Sequence, residues 1–169
     1  LDVTDRDECL SLLPLSHIFE RMAGHYQMYN AGVVISYAES IDAVPGNLLE
    51  VRPTICCAVP RLYEKIYARV LEAASSGPLF KKKLFFWAKR VGEEWATRTL
   101  EKKLIPFDLK VARAVANRLV FSKIRGRVGG RLRYFISGGA PLNPEIARFF
   151  YAAGVPILDV TRATTGQDI

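Results

Sequence analysis

The stretch LRYFISGGAPLNPEIARFFYAAGVPILD, Leu132–Asp159, decides how this chain is read. Leu132–Ser137 is apolar and aromatic and does not alternate cleanly with polar residues, as expected of a strand buried on both faces. Ser137-Gly138-Gly139-Ala140-Pro141 breaks that run. Asn143 is placed to cap a helix, and Pro144 stands at its first position, where an N–H would have no partner anyway. The helix is expected over Pro144–Ala153 and a second strand over Val155–Asp159.

Working outward, three more short apolar runs read as strands: Glu8–Leu13, Val33–Tyr37 and Thr54–Ala58. Helices are expected between them, at Ile18–Ala31 and at Pro60–Ala74, the latter with Leu62, Ile66, Val70 and Ala73 on one face. Alternating strands and helices predict an α/β fold with a mostly parallel sheet and flanking helices.

Pro78–Arg127 departs from that alternation and shows only helical patterning. Phe80, Leu84, Trp87, Val91 and Trp95 recur every three or four residues, one apolar stripe of a helix. A second helix is expected from about Phe107 to Val120. Residues 78–133 carry 16 Lys or Arg against 4 Asp or Glu, within a chain of net charge +7. The remainder is net acidic, so the body holds one strongly basic two-helix insert. Three readings stay open for it: a solvated face, contact with an anionic membrane surface, or contact with nucleic acid. Lys81, Lys82, Lys83, Lys89 and Arg90 flank Phe85, Phe86, Trp87 and Trp95, as in interfacial helices. No nucleic-acid motif accompanies the charge.

The 169 residues, half of them hydrophobic, suit one compact domain or a piece of a larger one. With a start at Leu1 and no charged-then-apolar leader in view, no signal peptide is expected. No uncharged apolar run is long enough to predict a membrane-spanning helix. Cys9, Cys56 and Cys57 all sit in apolar runs and read as buried thiols of a reducing compartment.

Two segments could carry chemistry. The SGGAP turn lies beyond the carboxyl end of a strand, where open parallel sheets bind ligands, and its small residues admit a flat ring or a phosphate to the backbone. It matches neither GxxxxGK[ST] nor GxGxxG, and Pro141 lacks an N–H, so a plain structural turn stays equally open. Pro14-Leu15-Ser16-His17 follows the first strand likewise, with His17 either a site residue or a half-buried histidine beside a capping Ser. With only His17 and His25, and no cysteine spacing to help, no metal site is expected.

LPLSHIFERM (Leu13–Met22), AVPRLYEKIY (Ala58–Tyr67), LVFSKIRGRVGGRLRYFISGGAPL (Leu119–Leu142) and FFYAAGVPIL (Phe149–Leu158) together resemble the long-chain fatty acyl-CoA synthetases. These are AMP-forming, acyl-adenylating enzymes. The blocks keep the family's order, and the resemblance covers about residues 5–158. It implies part of an N-terminal AMP-binding domain over residues 1–169, its helical insert at about 78–130, with the C-terminal domain absent. It implies a ligase reaction in which ATP and a fatty acid form an acyl-adenylate with Mg²⁺, after which coenzyme A displaces AMP. The implied partners are a long-chain fatty acid, ATP and coenzyme A; the basic insert adds the expectation of peripheral contact with an anionic membrane, and no nucleic acid is expected. The implied location is cytoplasmic, on the inner membrane face. By position, His17 borders the acyl and phosphate pocket as the catalytic candidate. Gly138, Gly139, Ala140 and Pro141 line the adenine side, and Asp159 stands at the nucleotide edge.

From Val160 the chain reads VTRATTGQDI where the family has Tyr-Gly-Leu-Thr-Glu-Thr. Only Thr164 matches, at a phosphate-contacting place, and Thr165 stands for the Glu that would bind Mg²⁺. The chain alone is therefore expected to be inactive and poorly soluble. The alternative is a non-catalytic α/β module that binds anionic membrane or nucleic acid through its basic helices.

Overall fold

The computed structural model describes residues 2–160. Five strands form one wholly parallel sheet: β1 (Glu8–Ser11), β2 (Val34–Tyr37), β3 (Ile55–Ala58), β4 (Tyr134–Ser137) and β5 (Ile157–Asp159). Their order is β2-β1-β3-β4-β5. Cys56 pairs with Leu10 on one side and Phe135 on the other, and Ser137 pairs with Asp159. All five expected strands are present, each slightly shorter than its apolar run. The chain steps outward from β1 to β2, then crosses back over β1 to β3. The β1/β3 boundary is thus the topological switch point, where ligands enter such sheets.

The crossovers cover the two faces unequally. On one face, Cys9, Cys57 and Ile136 pack against Phe19, Ala23 and Met28 of the segment after β1. That segment is helical as expected, but its turns are π-helical over Glu20–Tyr26 before α1 (Gln27–Asn30). All other helices lie on the opposite face: α2 (Val44–Val51), α3 (Pro60–Ser75), α4 (Leu79–Leu100), α5 (Phe107–Ala116), α6 (Ser122–Arg127) and α7 (Pro144–Ala153). Tyr63 of α3 anchors this face. It is fully buried, its hydroxyl donates to the Ile136 carbonyl at 2.8 Å, and its ring meets Phe135 edge-on at 5.0 Å.

The basic insert differs from its sequence reading in three ways. Its second helix continues past Val120 through a π-helical turn, Asn117–Phe121, into α6. Its buried seam on α4 is Phe85, Ala88, Val91, Gly92 and Ala96, with Leu84, Trp87 and Trp95 half-buried beside it. Phe80 is 75% exposed and leaves the stripe, because the adjacent pair Phe85-Phe86 permits two registers and packing selects Phe85. Lys89 is not a surface charge: its Nζ donates to Glu93 at 2.6 Å and to Glu145 at 3.2 Å.

The insert thereby clamps α7 at both ends. At the amino end, Lys89 and the Tyr67 hydroxyl both donate to Glu145 Oε1. Those bonds hold the Glu145 carboxyl below its ordinary range. Burial opposes the charge on Lys89, but its bonds to Glu93, Glu145 and Tyr67 prevail and raise its pKa. At the carboxyl end, Arg113 donates to the Ala152 carbonyl and Arg125 to the Ala153 carbonyl at 2.7 Å. Cations suit the negative end of a helix dipole. The Arg113 guanidinium also lies 4.8 Å from the Trp95 ring and 4.7 Å from Phe121, so its stem and charge are both used in packing.

At the amino edge of the sheet, buried Asp7 joins three segments. Its carboxylate accepts from Thr54 Oγ1 at 2.7 Å, from Arg133 Nη1 at 2.9 Å and from the Thr4 amide at 3.0 Å. Cys9, Cys56 and Cys57 are free and fully buried, and burial pushes the Cys56 thiol well above its usual range, which leaves it inert.

Candidate functional site

The candidate site forms at the carboxyl edge, where the loops after β1 and β4 meet. Each glycine of the SGGAP turn has its own steric reason. At Gly138 the Phe19 ring fills the space a Cβ would need. At Gly139 the backbone is left-handed, φ +84°, a conformation glycine adopts without penalty. Ala140 and Pro141 are exposed, and the chain then turns inward at Leu142, which is 3% exposed. The Leu142 amide donates to Asp159 Oδ2 at 3.2 Å. Asp159, itself buried at the end of β5, thus ties down the far side of the turn. Asn143 caps α7 as expected, its Oδ1 accepting from the Glu145 amide at 2.8 Å.

His17 is exposed rather than half-buried. A turn in which its amide donates to the Pro14 carbonyl at 2.9 Å brings it off β1, and its own carbonyl accepts from the Arg21 amide at 3.0 Å to start the helix. A methyl group built on Gly139 would lie 3.9 Å from His17 Cε1. Residues more than 120 positions apart therefore share one surface over the switch point. The structure brings together His17, Gly138 and Gly139, and it sets Asp159 behind them as a loop anchor. Thr164 lies outside the described residues.

Two residues of this region escaped the sequence reading. Phe19 is the surface on which Gly138 rests. Glu20, one residue on, is fully buried, and among the described residues neither carboxylate oxygen has a hydrogen-bond partner. Burial pushes its carboxyl above the ordinary range, opposed only in part by the nearby Ser11 hydroxyl and Leu12 backbone. The available signal was a carboxylate directly after Ile18 and Phe19 in the segment HIFERM.

Chemically, Gly139 and Ala140 offer an exposed backbone surface bordered by one imidazole, while Gly138 is buried against Phe19. Pro141 has no N–H to give a phosphate at its position. Among the described residues, no group of three His, Cys, Asp or Glu could hold a metal ion.

The family model for "AMP-binding enzyme" matches residues 1–161. The chain belongs to that family. This AMP-binding enzyme chain is 36% identical over 161 residues to the human long-chain-fatty-acid–CoA ligase ACSBG2, covering 92% of itself and 24% of that protein. It is 33% identical over 148 residues to long chain acyl-CoA synthetase 3 of Arabidopsis thaliana, covering 88% of itself and 21% of that protein. It thus spans about a quarter of the length of these relatives. Its fold matches the adenylation domain of a carboxylic acid reductase from Segniliparus rugosus, solved with AMP and a carboxylic acid, at TM-score 0.56 and 21% identity, covering 90% of this chain and 20% of that one. It also matches the adenylation domain of a carboxylate reductase from Mycobacterium chelonae at TM-score 0.55 and 22% identity, covering 89% and 19%.

Proposed function

We propose that these residues serve a long-chain fatty acid–CoA ligase, in which a fatty acid is activated by ATP as an acyl-adenylate and passed to coenzyme A. The observation that carries this reading is the juxtaposition of His17 with the exposed backbone at Gly139, within a sequence whose relatives are named fatty acid–CoA ligases. That backbone would take one face of the adenine ring. Asp159 holds it in place through Leu142, and His17 borders the acyl side. Mg²⁺ would neutralise phosphate charge in such a reaction, but among the described residues no cluster of three His, Cys, Asp or Glu could hold it.

The test is a chimera: residues 5–158 of this chain replace the matching segment of the human relative, which keeps its own residues beyond that point. ATP-dependent palmitoyl-CoA formation, lowered by His17→Ala with the chimera still folded, is the expected result. A folded chimera without thioester formation, or one indifferent to His17→Ala, would sink the reading.

The same reading includes a cytoplasmic location with peripheral membrane contact. Leu79 is 77% and Phe80 75% exposed at the start of α4, beside Lys81, Lys82 and Lys83. Apolar groups next to lysines suit an anionic lipid surface. Anionic vesicles should co-sediment the chain and release it in salt. Equal binding to neutral vesicles would refute that part.

A further inference from the structure

On the face away from the π-helical segment, α2 packs mainly on α6 while α3 packs on α4 and α7. Between α2 and α3 this leaves a groove of about 230 Å³. Leu48, Ile66, Val70 and Phe150 form its apolar floor. Its rim is Lys65, Arg69 and Arg127, with Asp42 as the single acid. Among the described residues none of those three cations has an ion-pair partner, whereas Lys89, Arg98, Lys103, Arg131 and Arg133 all do. Lys65 and Arg69 are also one turn apart on α3, and like charges at that spacing weaken a helix. Their placement is therefore not explained by the stability of α3.

We propose that this groove is a binding site for a single-chain carboxylate amphiphile, a fatty acid, with its tail on the floor and its carboxylate at Lys65 and Arg69. An apolar trough with this cationic rim is complementary to that ligand at both ends. The volume falls below the roughly 300–1,000 Å³ of drug-sized sites, which suits one linear chain better than a ring system. The groove and the Phe19 segment beneath His17 lie on opposite faces of the sheet, so a fatty acid held here is separate from any acid at the glycine turn. Only the choice of a fatty acid over other anionic amphiphiles rests on the proposed ligase reading.

The experiment is calorimetric titration of the chain with dodecanoate, below its micelle concentration and without nucleotide. Saturable 1:1 binding is expected. Lys65→Glu with Arg69→Glu, both on the exposed rim, should weaken it at least tenfold, and dodecanol should bind at least tenfold more weakly than dodecanoate. Ile66→Trp, which fills the floor, should abolish binding, and His17→Ala should leave it unchanged. If Ile66→Trp does not fold, the rim variant decides alone. Absence of saturable binding, equal binding of dodecanol, or indifference to the rim variant overturns the proposal. Loss on His17→Ala would move the fatty acid to the glycine turn and overturns it too, while supporting the ligase reading. A dimer that Ile66→Trp dissociates would assign the groove to a second copy of the chain. A chimera that fails to make thioester, with groove binding intact, would refute the ligase reading and leave the groove standing.

Discussion

Gly92 lies inside a 22-residue helix, where glycine is ordinarily a liability. Replacing it with Ala should raise helix stability by about 1 kcal/mol on propensity alone. The structure predicts the opposite sign. A Cβ at Gly92 would lie 2.7 Å from Phe121 Cζ and 2.9 Å from Ala152 Cβ. Carbon atoms pack favourably only at about 3.5–4.0 Å. Phe121 is 1% exposed and pinned by the Arg113 guanidinium, so its ring has nowhere to swing. Ala152 can retreat only if α7 moves, and α7 is clamped at both ends. Overpacking of this kind costs about 1–3 kcal/mol. With the propensity gain set against the upper half of that range, Gly92→Ala should lose about 1–2 kcal/mol. For a domain of this size that corresponds to a fall in Tm of roughly 2–8 °C. Gly126→Ala is the matched control, in α6 with nothing within 4 Å of the added methyl, and should stabilise by up to about 1 kcal/mol. Urea unfolding of the two variants beside the parent chain reads both signs. A Gly92→Ala variant as stable as Gly126→Ala would refute the close seating of α4 on α7.

Three further outcomes can be measured the same way. Burial alone would raise the Asp7 carboxyl, but its bonds to Thr54, the Thr4 amide and Arg133 outweigh this and hold it below 3.8. Its stabilising contribution is therefore complete above the unfolded value and is lost as pH falls through the lower folded value, a loss Asp7→Asn should not show in acid titration. Glu20 has the reverse sign: its folded value lies above 4.5, so the parent chain loses stability as pH rises from there, and Glu20→Gln should gain on it over that window. A flat difference between the two from pH 4 to 8 would contradict the buried carboxyl. Tyr63→Phe should cost about 1 kcal/mol for the bond to Ile136 and Tyr63→Ala about 3–5 kcal/mol, so equal losses would mean the ring is not packed as described.

The central strands β1, β3 and β4 were legible because parallel strands inside a sheet are apolar on both faces, and runs such as TICCA and RYFIS show it directly. Helix α2 was not, because Pro45 and Gly46 in VPGNLLEV read as a turn while tertiary packing of Val44 and Leu48 makes it helical. The π-helical turns at Glu20–Tyr26 leave no periodic mark in so short a segment. At the site, the sequence located the glycine turn and His17 separately. It could not show that Phe19 explains Gly138, since that contact joins residues far apart in the chain. Lys89, Arg113 and Arg125 were counted with the basic surface for the same reason. Charge is visible residue by residue, but its partners are set by the fold.

The clamp on α7 has a consequence for synthesis. Its holding groups, Tyr67, Lys89, Arg113 and Arg125, all precede α7 in the chain. They therefore emerge from the ribosome first, and α7 with the glycine turn is the last piece to reach a domain that folds as a unit. A ribosome stalled with residues up to about 130 exposed would present those groups without α7, and Tyr63, Phe85 and Phe121 would be open to chaperones.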